Sequence, residues 1–278
     1  MLGPKTDPTN APLALDIVSV EPVATPIGPN TDPSEPDAES IELGAEPGIE
    51  SSPLDVELDS KLSRAQAAEL KPTIVADQPD FWVVNKPIGW TVQRDEQAPS
   101  VLQWLEETYG AKVYPVHRLD KPTSGLLLVA KTTVGNRALS QAFAQRGIEK
   151  TYLALSDKKP LKKQGWVKGD MAVSRRSQWK LLRTVANPAI TQFTSTLLEN
   201  GLRGFILHPK TGKTHQLRVA LKSLGCPILG DSLYAGTASD RVYLHAWKIA
   251  FEFQDSQYQY QVDPTDGLFG AWQPALPG

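Results

Sequence analysis

A single cysteine, Cys226, stands among 278 residues. No intrachain disulfide can form, and a reducing compartment suits the chain. No apolar run approaches the roughly 20 residues of a membrane-spanning helix. The first residues, MLGPKTDPTNAP, lack the basic-then-apolar layout of a secretory signal. A soluble, cytoplasmic protein is expected. The four histidines, at 117, 208, 215 and 245, are scattered, and Cys226 has no cysteine neighbour. No ligand spacing resembles a zinc site, so no metal is expected. A phosphate-binding loop of the GxxxxGK[ST] kind and a GxGxxG turn are both missing, so no nucleotide cofactor is indicated.

Aromatic residues are also unevenly absent. Residues 1–71 contain no Phe, Trp or Tyr but hold 10 of the 23 prolines. They carry 4 Lys and Arg against 14 Asp and Glu, a net of −10, whereas the remaining 207 residues carry 25 against 17, a net of +8. The first part cannot bury enough apolar surface to offset chain entropy and reads as a disordered, acidic, proline-rich tail. A short helix over 60–70, capped by Ser60, is the one element it offers. Residues 72–278 hold all 21 aromatics and can form a proper core. Their positive balance suits a polyanionic partner.

Within that part, strands are expected at 73–77 and 81–85 around a turn at 78–80. Lys86-Pro87-Ile88-Gly89 reads as a turn, with Lys86 as a solvated turn lysine and a phosphate contact as the alternative. Residues 100–109 form an amphipathic helix, capped by Ser100 and stopped by Gly110, with 101, 102, 105 and 109 on its apolar face. A second helix spans 132–146, with Val134, Leu139, Ala142 and Phe143 inward and Gly147 as stop. A strand follows at 149–155. Residues 158–168 read as a basic loop whose lysines 158, 159, 162 and 163 are either solvated or phosphate-facing. Arg175, Arg176, Lys180 and Arg183 surround Trp179, which places Arg175 and Arg176 among the residues facing a polyanion. Paired strands at 190–198 and 202–208, a helix at 213–224 with Val219, Leu221 and Leu224 inward, and a hairpin at 243–253 and 257–262 turning at 255–256 complete an α+β class.

The most informative stretch is YPVHRLDKPTSGLLLVAK, residues 114–131. Gly125–Ala130 is the longest uninterrupted apolar run in the chain and reads as a buried strand. The preceding KPTSG residues are turn formers. Asp120 therefore stands at a strand end beside a core, where a carboxylate is costly to desolvate unless something pairs with it.

HRLDKPTSGLLLVAK closely resembles the catalytic signature of the RluA-type pseudouridine synthases. NKPIGW (85–90), EKTYLAL (149–155) and GKTHQLRV (212–219) resemble further stretches of that family, in the family's order, and the likeness covers roughly 73–260. The resemblance implies a large mixed, bent β-sheet with flanking helices and a central active-site cleft. It implies isomerisation of uridine to pseudouridine in structured RNA, ribosomal or transfer, without a cofactor. Asp120 would be the catalytic carboxylate. Arg218 would pair with it through a bidentate guanidinium, and Tyr152 would stack on the target base. Arg118 would fill the hole left by the flipped base, and His117, Lys213 and His215 join Arg175 and Arg176 as substrate contacts. Ala220 stands where relatives often carry histidine. Many relatives carry a small basic RNA-binding module, the S4 domain, at the N-terminus; nothing in the acidic tail resembles it.

The chemistry requires the C1′–N1 bond to break, the base to turn and C5 to bond C1′, after the base has left its stack. One anion near ribose or base serves any of three routes: attack at C1′, addition to the base, or proton removal from C2′. A monomer is expected, with RNA as partner. The alternatives are a catalytically inactive RNA-binding protein on the same fold and a glycosidase-like hydrolase, which would need a second carboxylate near Asp120.

Overall fold

A computed structural model describes residues 70–96, 98–175, 177–272 and 274. The tail expected over 1–71 lies almost wholly outside them, as does Arg176. The described strands are β1 (Thr73–Asp77), β2 (Phe81–Lys86), β3 (Tyr114–Pro115), β4 (Ser124–Ala130), β5 (Glu149–Ser156), β6 (Gln164–Gly169), β7 (Met171–Val173), β8 (Trp179–Leu181), β9 (Ala189–Leu197), β10 (Arg203–Pro209), β11 (Leu244–Phe253) and β12 (Ser256–Gln261). The helices are α1 (Val101–Tyr109), α2 (Thr133–Ala144) and α3 (Gln216–Ser223). The architecture is the expected α+β one: a ten-stranded mixed sheet with few helices, and a separate β7–β8 hairpin.

The strand order is β1-β2-β4-β11-β5-β10-β9-β6, with β12 added on β11 and β3 on β4. β4 and β11 run parallel through His245–Ser124 and Ala246–Gly125, whereas the other ladders among the described residues are antiparallel. That junction depends on Gly125, whose φ is +104° and whose Cβ position lies 2.3 Å from the Ala246 carbonyl oxygen. Only glycine fits there.

All seven residues of β4 are buried, because both sheet faces are covered at this strand. Alternation along β2 and β4 sends Trp82, Val84, Leu127 and Val129 to one face, where Val101, Leu102 and Leu105 of α1 meet them. Phe81, Val83, Leu126 and Leu128 face the other way, onto Leu139 of α2. Leu217, Ala220 and Leu221 of α3 pack on Leu153, Phe193, Phe205 and Leu207.

Several boundaries differ from the sequence reading. Ser100 caps α1 and Gly110 ends it in the left-handed conformation, as expected, but Tyr109 is largely exposed. On α2 it is Gly135, not Val134, that faces inward; Val134 is 59% exposed. Arg146 rather than Gly147 takes the left-handed position after it. Residues 164–169, read as loop, form the sheet's edge strand β6. The last hairpin turns at Gln254–Asp255, both at positive φ, and not at 255–256. α3 begins only at Gln216, because His215 holds φ 57°.

Candidate active site

The loop between β3 and β4 carries Asp120 at the wall of a cleft of about 940 Å³. The Thr123 amide closes the turn by donating to the Asp120 carbonyl at 3.0 Å, and the Gly89 amide donates to the Lys121 carbonyl at 2.9 Å. Lys86 completes the strap. Its Nζ donates to the carbonyls of Pro87 (3.0 Å), Trp90 (2.8 Å) and Lys121 (3.3 Å). The sequence reading of a solvated turn lysine is wrong: β2 runs on to Lys86, which pairs with Gly125 and is fully buried. Burial pushes its ammonium down to about 7, opposed by the nearby charge of Asp120 and reinforced by that of Arg241. It cannot reach a phosphate.

Arg218 projects from α3 toward the same point, but its bidentate partner is not Asp120. Nε and Nη2 donate to the two oxygens of Asp231, each at 2.7 Å, and both side chains are nearly sealed from solvent, at 6% and 1% exposed. The remaining nitrogen, Nη1, faces Asp120 Oδ2 at 3.8 Å. The expected fork onto Asp120 is therefore corrected to a fork onto Asp231 with a longer ion pair to Asp120. The reason is reach: Asp231 lies just before the turn Ser232–Tyr234, whose Tyr234 ring lies 4.9 Å below the guanidinium. With both oxygens engaged, Asp231 is not free to act as a glycosidase-type second carboxylate.

Tyr152 comes from β5, opposite Ala246 and Leu207, and lines the cleft. Burial, then the charge of Asp120, holds its phenol well above the ordinary value of 10, so it meets a substrate as a neutral ring with an intact O–H. Arg118 is exposed at the cleft. Lys213 lines it too, its Nζ donating to Asn187 Oδ1 at 2.9 Å. Gln216 fixes this loop: its Oε1 accepts from Thr211 Oγ1 and the Lys213 amide, and its Nε2 donates to the Ile190 carbonyl and Thr191. His215 stands beside Asp120 and Arg218, its Nδ1 2.8 Å from Tyr234 Oη.

His117 lines the cleft and also anchors the backbone. Its Nε2 accepts the Leu128 amide at 2.9 Å and its ring stacks on Phe143 with centroids 4.5 Å apart. Burial, then Lys150, pushes it down to about 3, so it is neutral. Arg175 lies exposed on the β7–β8 connection and is not among the cleft-lining residues, and Arg176 lies outside the described residues. Lys158 pairs with Asp157 at 3.1 Å, away from the cleft.

Among the described residues, seven Lys and Arg side chains line the cleft against two carboxylates, Asp120 and Glu149. That balance suits a polyanion. Sequence reasoning missed four of these cations, Arg146, Lys150, Lys210 and Lys248, and it missed Asp231. Their spacing carries no motif, but Asp231 had a signal. It follows the apolar PILG stretch and precedes SLY, a setting in which a carboxylate must find a partner. No group of His, Cys, Asp and Glu that would hold a metal occurs among the described residues.

Residues 80–223 match the family model described as RNA pseudouridylate synthase. An uncharacterized RNA pseudouridine synthase of Haemophilus influenzae is 46% identical over 199 residues, covering 70% of this chain and 89% of that protein. The chain belongs to the RluA-type RNA pseudouridine synthase family. The reaction of the family is the isomerisation of uridine to pseudouridine in RNA, and this synthase is an enzyme of that class. Among further relatives, the ribosomal large subunit pseudouridine synthase C of Rickettsia bellii is 38% identical, covering 68% of this chain and 66% of that protein. The tRNA pseudouridine synthase C of Salmonella typhimurium is 33% identical, covering 60% and 71%. In fold, the synthase is similar to human RNA pseudouridylate synthase domain containing 1, with a TM-score of 0.61 at 24% identity over 70% of this chain and 84% of that one.

Proposed function

We propose that this synthase acts on uridine in ribosomal or transfer RNA, with Asp120 as the catalytic carboxylate. The observation that carries the assignment is the convergence of Asp120, Arg218 and Tyr152 on one cationic cleft. The target uridine leaves its stack and enters that cleft, where the Tyr152 ring supports the base and its neutral hydroxyl is available as a hydrogen-bonding group. Asp120 supplies the anion that the bond exchange at C1′ requires, and the Arg218 charge faces it from a position fixed by Asp231. The cations around the rim meet phosphates, with Arg118 reaching the space the base vacates. Relatives named for both RNA classes support either substrate. No described helix is long and apolar enough to cross a membrane. A monomer in the cytoplasm, with residues 72–278 as the catalytic unit, completes the reading.

The test is pseudouridine mapping of total RNA from cells lacking the gene. A site that vanishes, and returns with the wild-type gene but not with Asp120→Asn, names the substrate. A map unchanged at every position would sink the proposal.

A further inference from the structure

Tyr234 touches Trp179, His215 and Arg218 at once, and its own role is set by the direction of one proton. The Trp179 amide, at the start of β8, donates to Tyr234 Oη at 3.0 Å. A phenolic oxygen that accepts there still has its own O–H to give. Among the described residues, the remaining neighbour at hydrogen-bond distance is His215 Nδ1, at 2.8 Å. The amide can only donate, and His215 Nδ1 is the acceptor within reach of the hydroxyl's own proton, so the arrangement that uses every donor runs amide to hydroxyl, hydroxyl to imidazole. In that arrangement Nδ1 accepts, and the proton of neutral His215 is on Nε2.

His215 is held for this arrangement at a cost. It is a non-glycine residue at φ 57°, in the left-handed region, immediately before α3. Strain of this kind persists where the surroundings impose it, and it clusters at functional sites. Gln216, next in sequence, pins the backbone from the other side with bonds to Thr211, Lys213, Ile190 and Thr191. The imidazole stands edge-on to the Tyr234 ring, at 88° with centroids 5.7 Å apart, while the same ring carries the Arg218 guanidinium. The charged and titratable groups that face His215 are Asp120, Arg218, Asp231, Arg118 and Tyr234.

We propose that Tyr234 is a positioning residue that fixes His215 as the Nε2–H tautomer, so that His215 presents one N–H donor to the RNA in the cleft beside Asp120. The inference rests on the reading of this cleft as the uridine site. The donor suits an acceptor-rich ligand, a base carbonyl or a phosphate oxygen, and requires no charge on the histidine. Burial lowers the His215 pKa from its ordinary value, in keeping with a neutral ring at physiological pH, even though Asp120 opposes that shift. Tyr234 itself touches no substrate. It also ties the β7–β8 hairpin to the cleft wall, because its hydroxyl accepts the Trp179 amide and meets His215.

Nitrogen-15 NMR of the imidazoles in the full chain tests the tautomer directly, with the His215 signals assigned by their loss in His215→Asn. At pH 7.5 the wild type is expected to show Nε2 protonated and Nδ1 bare. Nδ1–H, or an imidazolium, at that pH overturns the proposal. Tyr234→Phe keeps the ring under Arg218 and removes only the hydroxyl, so His215 should become a tautomer mixture that protonates at higher pH than in the wild type. Tritium release from C5-labelled bulk rRNA and tRNA, isolated from cells lacking the protein, supplies the functional arm. Losing one aligned hydrogen bond is worth about fivefold, so Tyr234→Phe should raise KM about fivefold while kcat stays within about twofold.

The two amide replacements of His215 divide the possibilities further. His215→Gln places an N–H donor near the Nε2 position and should retain most of the activity, whereas His215→Asn places it near Nδ1 and should not. Equal and unimpaired activity in both removes the donor from the mechanism. If Tyr234→Phe fails to fold, the wild-type tautomer and the Gln and Asn pair still decide. Failure here is separable from failure of the uridine-site reading, since only the latter predicts that Asp120→Asn turns over normally.

Discussion

Arg218 grips Asp231 with two 2.7 Å bonds and leaves its third nitrogen 3.8 Å from Asp120. One guanidinium thus does two things: a fork anchors it to one carboxylate, and the free end presents charge to another, Asp120. A planar fork with five donors can divide its contacts in this way; a lysine ammonium cannot.

The stability consequence is large because both partners of the fork are buried. Removing one side of a buried pair leaves an uncompensated charge, which costs about 3 to 5 kcal/mol. Arg218→Ala is expected to lose that much stability in urea melts and nearly all turnover. Arg218→Lys keeps the charge but loses the fork, so it should fold better than Arg218→Ala yet remain severely impaired. Wild-type activity in Arg218→Ala would remove the residue from the site.

Much of the fold was legible, and where the sequence reading failed the cause is specific. β4 announces itself through an apolar run, and α1 through a cap, a stop and a periodic face. Lys86 was misjudged because a lysine beside proline and glycine resembles any surface turn. Its burial depends on three carbonyls, two of them local and one 35 residues away at Lys121. The start of α3 was misplaced because GKTH has ordinary helix-compatible letters, while the left-handed His215 is imposed by tertiary contacts. β6 was hidden because an edge strand with an open face shows weak alternation. The proposed anion and its arginine were legible from motif; the partner that orients the arginine was not, since Asp231 stands 13 residues from Arg218 in a stretch with no charge pattern.

Acid should unfold the protein through two neutral histidines, one buried and one partly buried. His245 accepts from Ser124 at Nδ1 and donates to the Val262 carbonyl from Nε2, each at 2.8 Å, and burial pushes it down to about 4. His117 lies at about 3. Both folded values are below the unfolded 6.5, so the unfolded chain binds more protons in between. Stability is therefore full above about pH 6.5 and falls as pH drops toward 4, at about 1.4 kcal/mol per pH unit for each histidine. Urea melts at pH 7.5, 6 and 5 check the slope. His117→Asn should flatten it by about one proton, and an unchanged slope would remove His117 from the acid response.

The acidic N-terminal stretch offers a test of the domain boundary. A chain beginning at Lys71 is expected to melt at the temperature of the full chain and to keep its turnover. It leaves behind 14 carboxylates that oppose a cleft rich in cations. RNA affinity should therefore rise on truncation at low salt, and the difference should vanish at high salt, where the Debye length falls to about 3 Å. A melting temperature lower by many degrees would mean that the removed residues pack on the catalytic unit.

Asp120 separates chemistry from binding. Asp120→Asn is nearly isosteric and removes the anion, so turnover should fall below detection. RNA affinity should hold, since most of it is expected from Lys and Arg contacts to phosphate. It should rise slightly if it changes, because one of the two carboxylates lining the cleft among the described residues is lost, which favours a polyanion. Asp120→Glu keeps the charge but moves it about 1.5 Å, and misplacement on that scale costs about a hundredfold. Arg218, anchored by Asp231, cannot follow the displaced carboxylate, so the longer side chain also disturbs the 3.8 Å pair. The measurement is tritium release from C5-labelled uridine RNA beside filter binding at two salt concentrations. Wild-type turnover in Asp120→Asn overturns the assignment of the catalytic carboxylate. Loss of binding in both variants, with lowered melting temperatures, would instead place Asp120 among the residues that hold the loop between β3 and β4 in shape.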